Sequence, residues 1–252
     1  MKMRQLAGAL GMTLCCMVTS VSVFAAPDDD ANLMLAAGHG DLRMYKMMLA
    51  MDANPRAINK GGNTAVLLAA YYSQREMVRR LIELHANVNE LGTLGFTPLG
   101  AAAMRGDSEI LKMLIDAGAR LDVHDHEGET PLLRAIRAQR DENFRMLVAA
   151  GANVNLSNSI GETPLMVAAQ LGRLDYADAL LRAHAMSSLR DPDGNTALYF
   201  AITEGHDDVA KRLIQSGTVV EGLSSGYTPL HWAKVMHRKE IVVLLAQAGA
   251  VD

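Results

Sequence analysis

Apolar positions recur along the chain with a period of 33 residues, or 32 at the last step. One position is Leu or Met in every copy, and an Ala always stands 12 residues before it. The Leu and Met set is Met48, Leu81, Leu114, Leu147, Leu180, Leu213 and Leu245. The Ala set is Ala36, Ala69, Ala102, Ala135, Ala168, Ala201 and Ala233. Each copy has room for two short helices, one with the Ala and one with the apolar stripe, so the pattern predicts stacked helix pairs.

A helix start signal stands five residues before the Ala in six of the copies. It is a Thr, followed by Pro-Leu in four copies: Thr64, Thr97, Thr130, Thr163, Thr196 and Thr228. The Thr hydroxyl can cap a helix, and Pro suits the first helical position because an N–H there has no partner. Counting back from Thr64 gives a further copy, without Thr, that starts near Ala31. The predicted units therefore start near residues 31, 64, 97, 130, 163, 196 and 228.

Polar residues mark the second helix of each predicted pair. An acid stands 12 residues after the start in six copies: Glu76, Glu109, Glu142, Asp175, Asp208 and Glu240. Such an acid complements the positive end of a helix. Each pair ends at a Gly, or at Asp52, His85 or His184, where we expect the backbone to adopt a positive φ.

The units resemble the ankyrin repeat, whose signature is Gly-x-Thr-Pro-Leu-His-x-Ala-Ala followed by a second helix and a Gly-containing turn. The resemblance covers residues 31–252, although the signature His occurs only as His231. It implies an all-α ankyrin-repeat solenoid of about seven helix–turn–helix units, joined by β-hairpin fingers. It also implies a protein-binding scaffold that is not an enzyme and needs no cofactor, and we expect a monomer.

Residues 1–25 differ from the units and are typical of a signal peptide. Lys2 and Arg4 precede an apolar run, and the run ends in a sequence suited to cleavage after Ala25. The mature chain then begins at Ala26, with a short acidic lead over residues 26–30 before the array. After cleavage we expect no attachment to a membrane.

Two alternatives to a cleaved signal peptide stay open. A membrane anchor needs about 20 apolar residues, whereas this run is interrupted by Thr13, Thr19, Ser20 and Ser22. A lipoprotein signal at Cys15 or Cys16 is the second alternative, although the residues before these cysteines lack the expected pattern of Leu and small residues.

Composition agrees with export. Cys15 and Cys16 are the only cysteines, so cleavage leaves a chain without thiols, which suits an oxidising compartment. We therefore predict a periplasmic protein, with secretion into the medium as the alternative. Removal of Lys2 and Arg4 changes the formal net charge from -4 to -6, and an acidic chain does not favour nucleic acid as a partner.

The resemblance implies that a partner contacts the finger tips and the concave face of the first helices. The residues at these positions combine aromatic, apolar and Arg side chains, which often anchor protein interfaces. The predicted contact residues are Tyr71, Tyr72, Leu94, Phe96, Met104, Arg105, Glu129, Arg137, Ile160, Leu171 and Tyr227. The alternative is that the Tyr and Phe rings only pack against the neighbouring finger.

The predicted function is an exported adaptor that captures one protein, as an inhibitor or immunity protein or as a helper of a periplasmic enzyme. A secreted effector that acts on host proteins is the alternative. A third hypothesis is a metal-dependent hydrolase built on His124 and His126, whose side chains point the same way if this segment is a strand.

A cluster of methionines in the first unit has two interpretations. Met44, Met47, Met48 and Met51 favour a soft cap at the end of the array, and an adaptable docking surface is the alternative.

Overall fold

The computed structural model describes residues 29–222, 224 and 226–251. The predicted signal peptide, both cysteines and residues 26–28 lie outside the described residues. Within the described part, the chain forms fourteen α-helices and no β-strand. In the same part, we find no helix with the length and apolar character that crossing a bilayer requires.

The helices follow one another in seven pairs. The first helices of the pairs are α1 (Asp29–His39), α3 (Ala65–Tyr71), α5 (Pro98–Arg105), α7 (Pro131–Arg137), α9 (Pro164–Gln170), α11 (Ala197–Glu204) and α13 (Pro229–Val235). The second helices are α2 (Leu42–Ala50), α4 (Arg75–Glu83), α6 (Ser108–Asp116), α8 (Asp141–Ala149), α10 (Leu174–Arg182), α12 (Asp207–Gln215) and α14 (Lys239–Gln247).

Threonine caps fix where most of the first helices begin. In units two to seven the Thr hydroxyl accepts a hydrogen bond from the backbone N–H three residues later, as from Gly100 N–H to Thr97 Oγ1 at 3.0 Å. The capped N–H would otherwise have no partner inside the helix. The predicted helix start signal is therefore confirmed in these six units.

The first helix begins earlier than the sequence predicts. α1 includes Asp29 and Asp30, which the prediction places in the acidic lead. These acids lie in the first turn, where their charge complements the helix dipole. Asp30 Oδ1 also accepts a hydrogen bond from Asn54 N–H at 2.7 Å, which ties the start of α1 to the loop that leads into the second unit.

One continuous apolar core runs through the stack. The repeated Ala of each unit and the Leu or Met of each second helix are both buried in it. Each helix packs against its partner, each first helix packs against the first helices of adjacent units, and from α4 onward the second helices pack against one another in the same way. Stability therefore arises chiefly from contacts between neighbouring units.

The predicted β-hairpin fingers are tight loops in the described residues. In four of them an Asn or Asp side-chain oxygen accepts hydrogen bonds from the N–H groups two and four residues later: Asn59, Asp125, Asn158 and Asp191. Because the side chain satisfies these N–H groups, little backbone pairing remains to form a strand ladder. The loops thus differ from the predicted β-hairpins, whereas the helices form the predicted array.

Successive loop tips are joined by backbone hydrogen bonds in the middle of the array. His126 N–H donates to Leu94 O at 2.9 Å, and Ser159 N–H donates to Glu127 O at 3.2 Å. Pro192 occupies the equivalent position in the next loop and has no N–H to donate. The series of tip-to-tip backbone bonds therefore stops at the loop that contains Ile160.

The methionines of the first unit fall into two groups. Met48 is buried in the core and Met44 packs against it, whereas Met47 and Met51 are exposed. The positions of Met44 and Met48 fit the interpretation that these side chains fill the core at the end of the array. For the exposed Met47 and Met51, the alternative of an adaptable docking surface stays a prediction.

We expect Ala102→Leu to lower the free energy of unfolding by about 1–3 kcal/mol, because a larger side chain cannot enter the close-packed row of first helices. Ala102 is fully buried, and the matched control Ala149→Leu changes an exposed helical Ala. Urea denaturation followed by circular dichroism measures both. Equal stability of Ala102→Leu and the wild-type protein would contradict the packing described here.

Candidate functional site

One face of the array is formed by the loops before the cap Thr residues and by the C-terminal ends of the first helices α3 to α13. We call it the recognition face. All eleven residues of the predicted contact set belong to it by register. Its side chains form three groups: a charged network in the middle units, a small aromatic cluster in units two and three, and a second aromatic cluster in units six and seven.

The charged network centres on Arg137. Its Nε donates to Glu129 Oε1 at 2.8 Å, and its Nη2 forms an ion pair with Glu162 in the next unit. Asn158 Nδ2 lies between the two carboxylates, 3.0 Å from Glu129 Oε1 and 3.1 Å from Glu162 Oε2. Gln170 Nε2 donates to Glu162 Oε1 at 2.6 Å. Two adjacent units are thus joined by side chains on the face itself.

The network controls the charge state of its members. Burial raises the pKa of Glu162, but the hydrogen bonds from Gln170 and Asn158 and the charge of Arg137 outweigh it, so this pKa lies below its usual value. Burial lowers the pKa of Arg137, and the nearby Glu129 and Glu162 carboxylates more than offset this effect. Both groups are therefore charged at neutral pH. Glu129 is buried as well, and its Oε2 atom has no hydrogen-bond partner.

Arginine side chains cover two aromatic rings of this face. The Arg105 guanidinium lies 5.1 Å from the centre of the Tyr71 ring, and that of Arg134 lies 4.9 Å from the centre of the Phe96 ring. In both pairs the arginine comes from the unit that follows the ring. Arg134 is held in place by ion pairs with Asp125 and Glu127 at 2.6 and 2.9 Å. The cation–π contacts therefore join neighbouring units in the same way as the charged network does.

Five of the predicted contact residues come together in the small aromatic cluster. Tyr71 and Phe96 form its buried centre with Leu67 and Ala101, and Tyr72, Leu94 and Met104 pack against it. Tyr71 is 5% exposed and Phe96 is 4% exposed, whereas the sequence prediction treats both as exposed. That premise is wrong because the next unit covers both rings. Their contacts match the alternative in which these rings pack against the neighbouring unit.

Other predicted residues do lie at the surface. Ile160 is 55% exposed, Tyr227 is 51% exposed and Leu171 is 37% exposed. Arg105 and Arg137 are exposed, and Glu129 is buried beneath Arg137. The accessible part of the predicted set therefore lies mainly in units five and seven.

The second aromatic cluster was missed by the sequence analysis, except for Tyr227. The ring of Tyr227 stacks on His231 with centres 4.3 Å apart, and it meets Trp232 edge to face at 5.7 Å. Tyr199 of the preceding unit meets Trp232 at 5.5 Å, and Phe200 lies beside Tyr199 at 5.3 Å. The available signal was an aromatic or His residue at the third and fourth positions after the cap Thr in two successive units.

His124 and His126 do not have the geometry assumed for a metal site. They lie in a loop stabilised by Asp125, not in a strand, and both are exposed. Within the described ranges, no group of three His, Cys, Asp or Glu residues is arranged to hold a metal ion.

Comparison with known proteins identifies the repeated unit. A family model described as "Ankyrin repeats (3 copies)" matches residues 33–125, 102–188 and 183–252. The structure is similar to the crystal structure of the ankyrin repeat domain of Bcl-3, a member of the IkappaB protein family, with a TM-score of 0.77. The two sequences are 22% identical, and the alignment covers 86% of this chain and 98% of that domain. A search of curated proteins gives no match.

We expect Glu162→Gln to lower the free energy of unfolding at pH 7 by about 1–2 kcal/mol, because hydrogen bonds to a charged group are lost. Since the folded state depresses the pKa of Glu162, its contribution is complete above the unfolded pKa of about 4.3 and disappears as the pH falls through the folded value. The difference between variant and wild-type protein should therefore shrink between pH 6 and pH 3. Urea titrations at several pH values measure it.

Glu142→Gln, at an exposed position of α8, is the matched control and should change stability little at any pH. A difference for Glu162→Gln that stays constant with pH would contradict the role given to the network.

Proposed function

The chain belongs to the ankyrin repeat family, and from this we propose that it is an exported scaffold that captures one protein partner through its recognition face. Ankyrin repeats are scaffolds for protein–protein interaction, and the repeated Thr-Pro sequences serve as helix caps. The proposed role is to inhibit, protect or assist the captured protein. We further propose that the scaffold acts as a monomer in the periplasm.

Exposed apolar side chains on the recognition face are the observation that carries this proposal. Ile160, Leu171, Tyr227 and Val235 are all substantially exposed, and they lie in units five and seven. Near Ile160 and Leu171 along the chain, Glu162 contacts the polar side chains of Arg137 and Gln170. An apolar centre with a polar rim is the usual composition of a protein interface.

The network beneath these residues favours binding without rearrangement. Glu129, Arg137, Asn158 and Glu162 join units four and five through side-chain contacts, while the loop backbones are joined at Ser159. Side chains that are already ordered lose little entropy when a partner binds. The surface therefore supports recognition of a folded partner of fixed shape.

Export is proposed from the sequence of residues 1–25. If the chain is cleaved after Ala25, the mass of the protein purified from the periplasm should match a chain that begins at Ala26. Replacing Cys15 and Cys16 together by Ser should leave this processing unchanged. Intact-mass measurement decides both points. Loss of processing in the double Ser variant would support the lipoprotein alternative, and an uncleaved chain would support the membrane anchor.

We expect Leu171→Arg to lower the affinity for the native partner about tenfold, equal to about 1.4 kcal/mol, because a charge enters an apolar contact. Leu84→Arg is the matched control: Leu84 is 39% exposed, Leu171 is 37% exposed, and each caps the C-terminus of a helix. Leu84 follows a second helix, outside the recognition face. Quantitative affinity purification from periplasmic extract, together with melting temperatures, measures both variants.

Equal recovery of the same partner by Leu171→Arg and by Leu84→Arg would place the interface elsewhere. Recovery of no specific partner by the wild-type protein, from either the periplasm or the culture medium, would contradict the scaffold proposal itself. Recovery only from the medium would favour a secreted effector.

A further inference from the structure

A cleft between units five and six is formed by the last turns of α10 and α12 and by the turn that follows α10. Its volume is about 440 Å³, and we call it the basic cleft. Two arginines, a histidine and two serines line it beside the apolar Leu181 and Ala185: Arg182, His184, Ser187, Arg212 and Ser216. No residue of the predicted contact set is among them. Small-molecule sites have volumes of about 300–1,000 Å³, so the basic cleft has the size of such a site.

The cleft arises where unit five departs from the repeat. Ser187 stands at a position that is apolar in four other units and lies in the core or packs against it: Val88, Leu121, Val154 and Val220. The smaller serine leaves room that those side chains fill. His184 has a φ of 62° at a position where four other units have Gly: Gly118, Gly151, Gly217 and Gly249. Because glycine adopts this backbone more readily, the turn alone does not explain the imidazole.

Positive charge is in excess at the basic cleft. Asp178 stands four residues before Arg182 on α10, which is the spacing of a helical ion pair. Its carboxylate instead forms an ion pair with Arg212 of α12. Within the described residues, Arg182 forms no ion pair, and no acid lines the cleft. Two arginines are therefore balanced by a single carboxylate.

The register position of Arg182 carries an acid in units two and three. Glu83 pairs with Arg80 at 2.7 Å, and Asp116 pairs with Lys112 at 2.6 Å, each on its own helix. These units therefore balance their charges locally. Unit five reverses the sign of the charge at this position and leaves it unbalanced.

The ends of α10 and α12 carry the partial negative charge of helix C-termini, which opposes an anion. Hydrogen bonds engage carbonyl groups of both last turns. His184 N–H donates to Leu181 O at 3.1 Å, and Ser216 Oγ donates to Leu213 O at 2.7 Å. These carbonyl oxygens already have donors, and the Arg182 guanidinium stands beside them as a full positive charge.

We propose that the basic cleft binds a phosphate group, either of inorganic phosphate or of a small phosphomonoester. The N–H groups of an arginine match phosphate oxygens in a bidentate contact, and His184 and Ser187 offer further donors. A phosphate group carries about 1.5–2 negative charges at pH 7, more than the single charge of a carboxylate, so it makes fuller use of these donors. The inference adds a second kind of ligand to the proposed scaffold and does not depend on the recognition face.

Isothermal titration calorimetry tests the inference. Inorganic phosphate and glycerol 3-phosphate are titrated separately into the purified protein at pH 7 and constant ionic strength, and sodium chloride is the blank. The formal net charge of the chain is -4, so a general attraction of anions is not expected. We expect saturable binding of both phosphates at one site. Tighter binding of glycerol 3-phosphate identifies a phosphomonoester as the ligand, and equal binding identifies free phosphate.

Three variants separate the basic cleft from general effects of charge. Arg182→Gln should weaken binding of both phosphates about tenfold, because a charge-assisted hydrogen bond is lost. Arg80→Gln is the matched control and should leave binding unchanged, because Arg80 also lies in the last turn of a second helix but not at the cleft. Ser187→Val introduces the residue that units two, four and six carry, so it should abolish binding without lowering the melting temperature. Melting temperatures of all three variants confirm that they fold.

The inference is overturned by absent or non-saturable binding of both phosphates, or by wild-type affinity of either Arg182→Gln or Ser187→Val. An equal loss of affinity in Arg80→Gln also overturns it, because the effect would then be one of overall charge. If the peptide acetyl-Glu-Gly-Glu-amide binds as tightly as glycerol 3-phosphate, the ligand is an acidic protein segment and the phosphate proposal fails. None of these outcomes involves capture of a protein partner, so the scaffold proposal is decided separately by Leu171→Arg.

Discussion

Close approach of the first helices is the constraint on which the structure depends. Each unit places a buried Ala five residues after its helix start, and the row of these Ala residues lies inside the continuous core. A single methyl group lets neighbouring helices approach until their other side chains interlock. The apolar stripe of each second helix then closes the core from the other side. Helix caps, loop positions and the recognition face all follow from this spacing, because every unit has the same orientation to its neighbour.

Polar contacts between units provide a second level of order. On the second helices, Arg75 forms an ion pair with Asp107 in the next unit, and Arg212 contacts Asp178 in the preceding one. On the recognition face the corresponding contacts are buried, as for Glu129 and Glu162. The buried pairs demand exact partners, because a carboxylate without them would be an uncompensated charge. These buried pairs restrict which residues can occupy the facing positions of neighbouring units. The apolar core alone would not impose this restriction.

The sequence was sufficient to predict the helical array because its determinants are local and repeated. A Thr cap, a buried Ala and an apolar stripe each act within one unit, and seven copies remove the ambiguity of any single one.

The burial of Tyr71 and Phe96 could not be predicted in the same way. It depends on Arg105 and Arg134, which stand at different register positions of the following units. The contact of Tyr199 with Trp232 crosses a unit boundary in the same way, and only the aromatic or His residues at the same two register positions of units six and seven indicated it. The loops contain no strands because Asn and Asp side-chain oxygens accept hydrogen bonds from loop N–H groups that backbone carbonyls would accept in a hairpin. The family resemblance implied β-hairpins and so did not indicate this local effect.

Pro192 interrupts the hydrogen bonds that link successive loop tips. Tips three, four and five are tied backbone to backbone, and Ser224 reaches Gly194 through its hydroxyl at the last junction. Between tips five and six, Pro192 faces Gly161 instead and can donate no bond. The tips of units five and six therefore lack a backbone tie, and the loops are joined closer to the helices by the hydrogen bond from Met186 N–H to Asn155 Oδ1 at 2.8 Å. Ile160 and Tyr227 stand on opposite sides of this junction, so the angle between units five and six fixes the distance between these two apolar side chains.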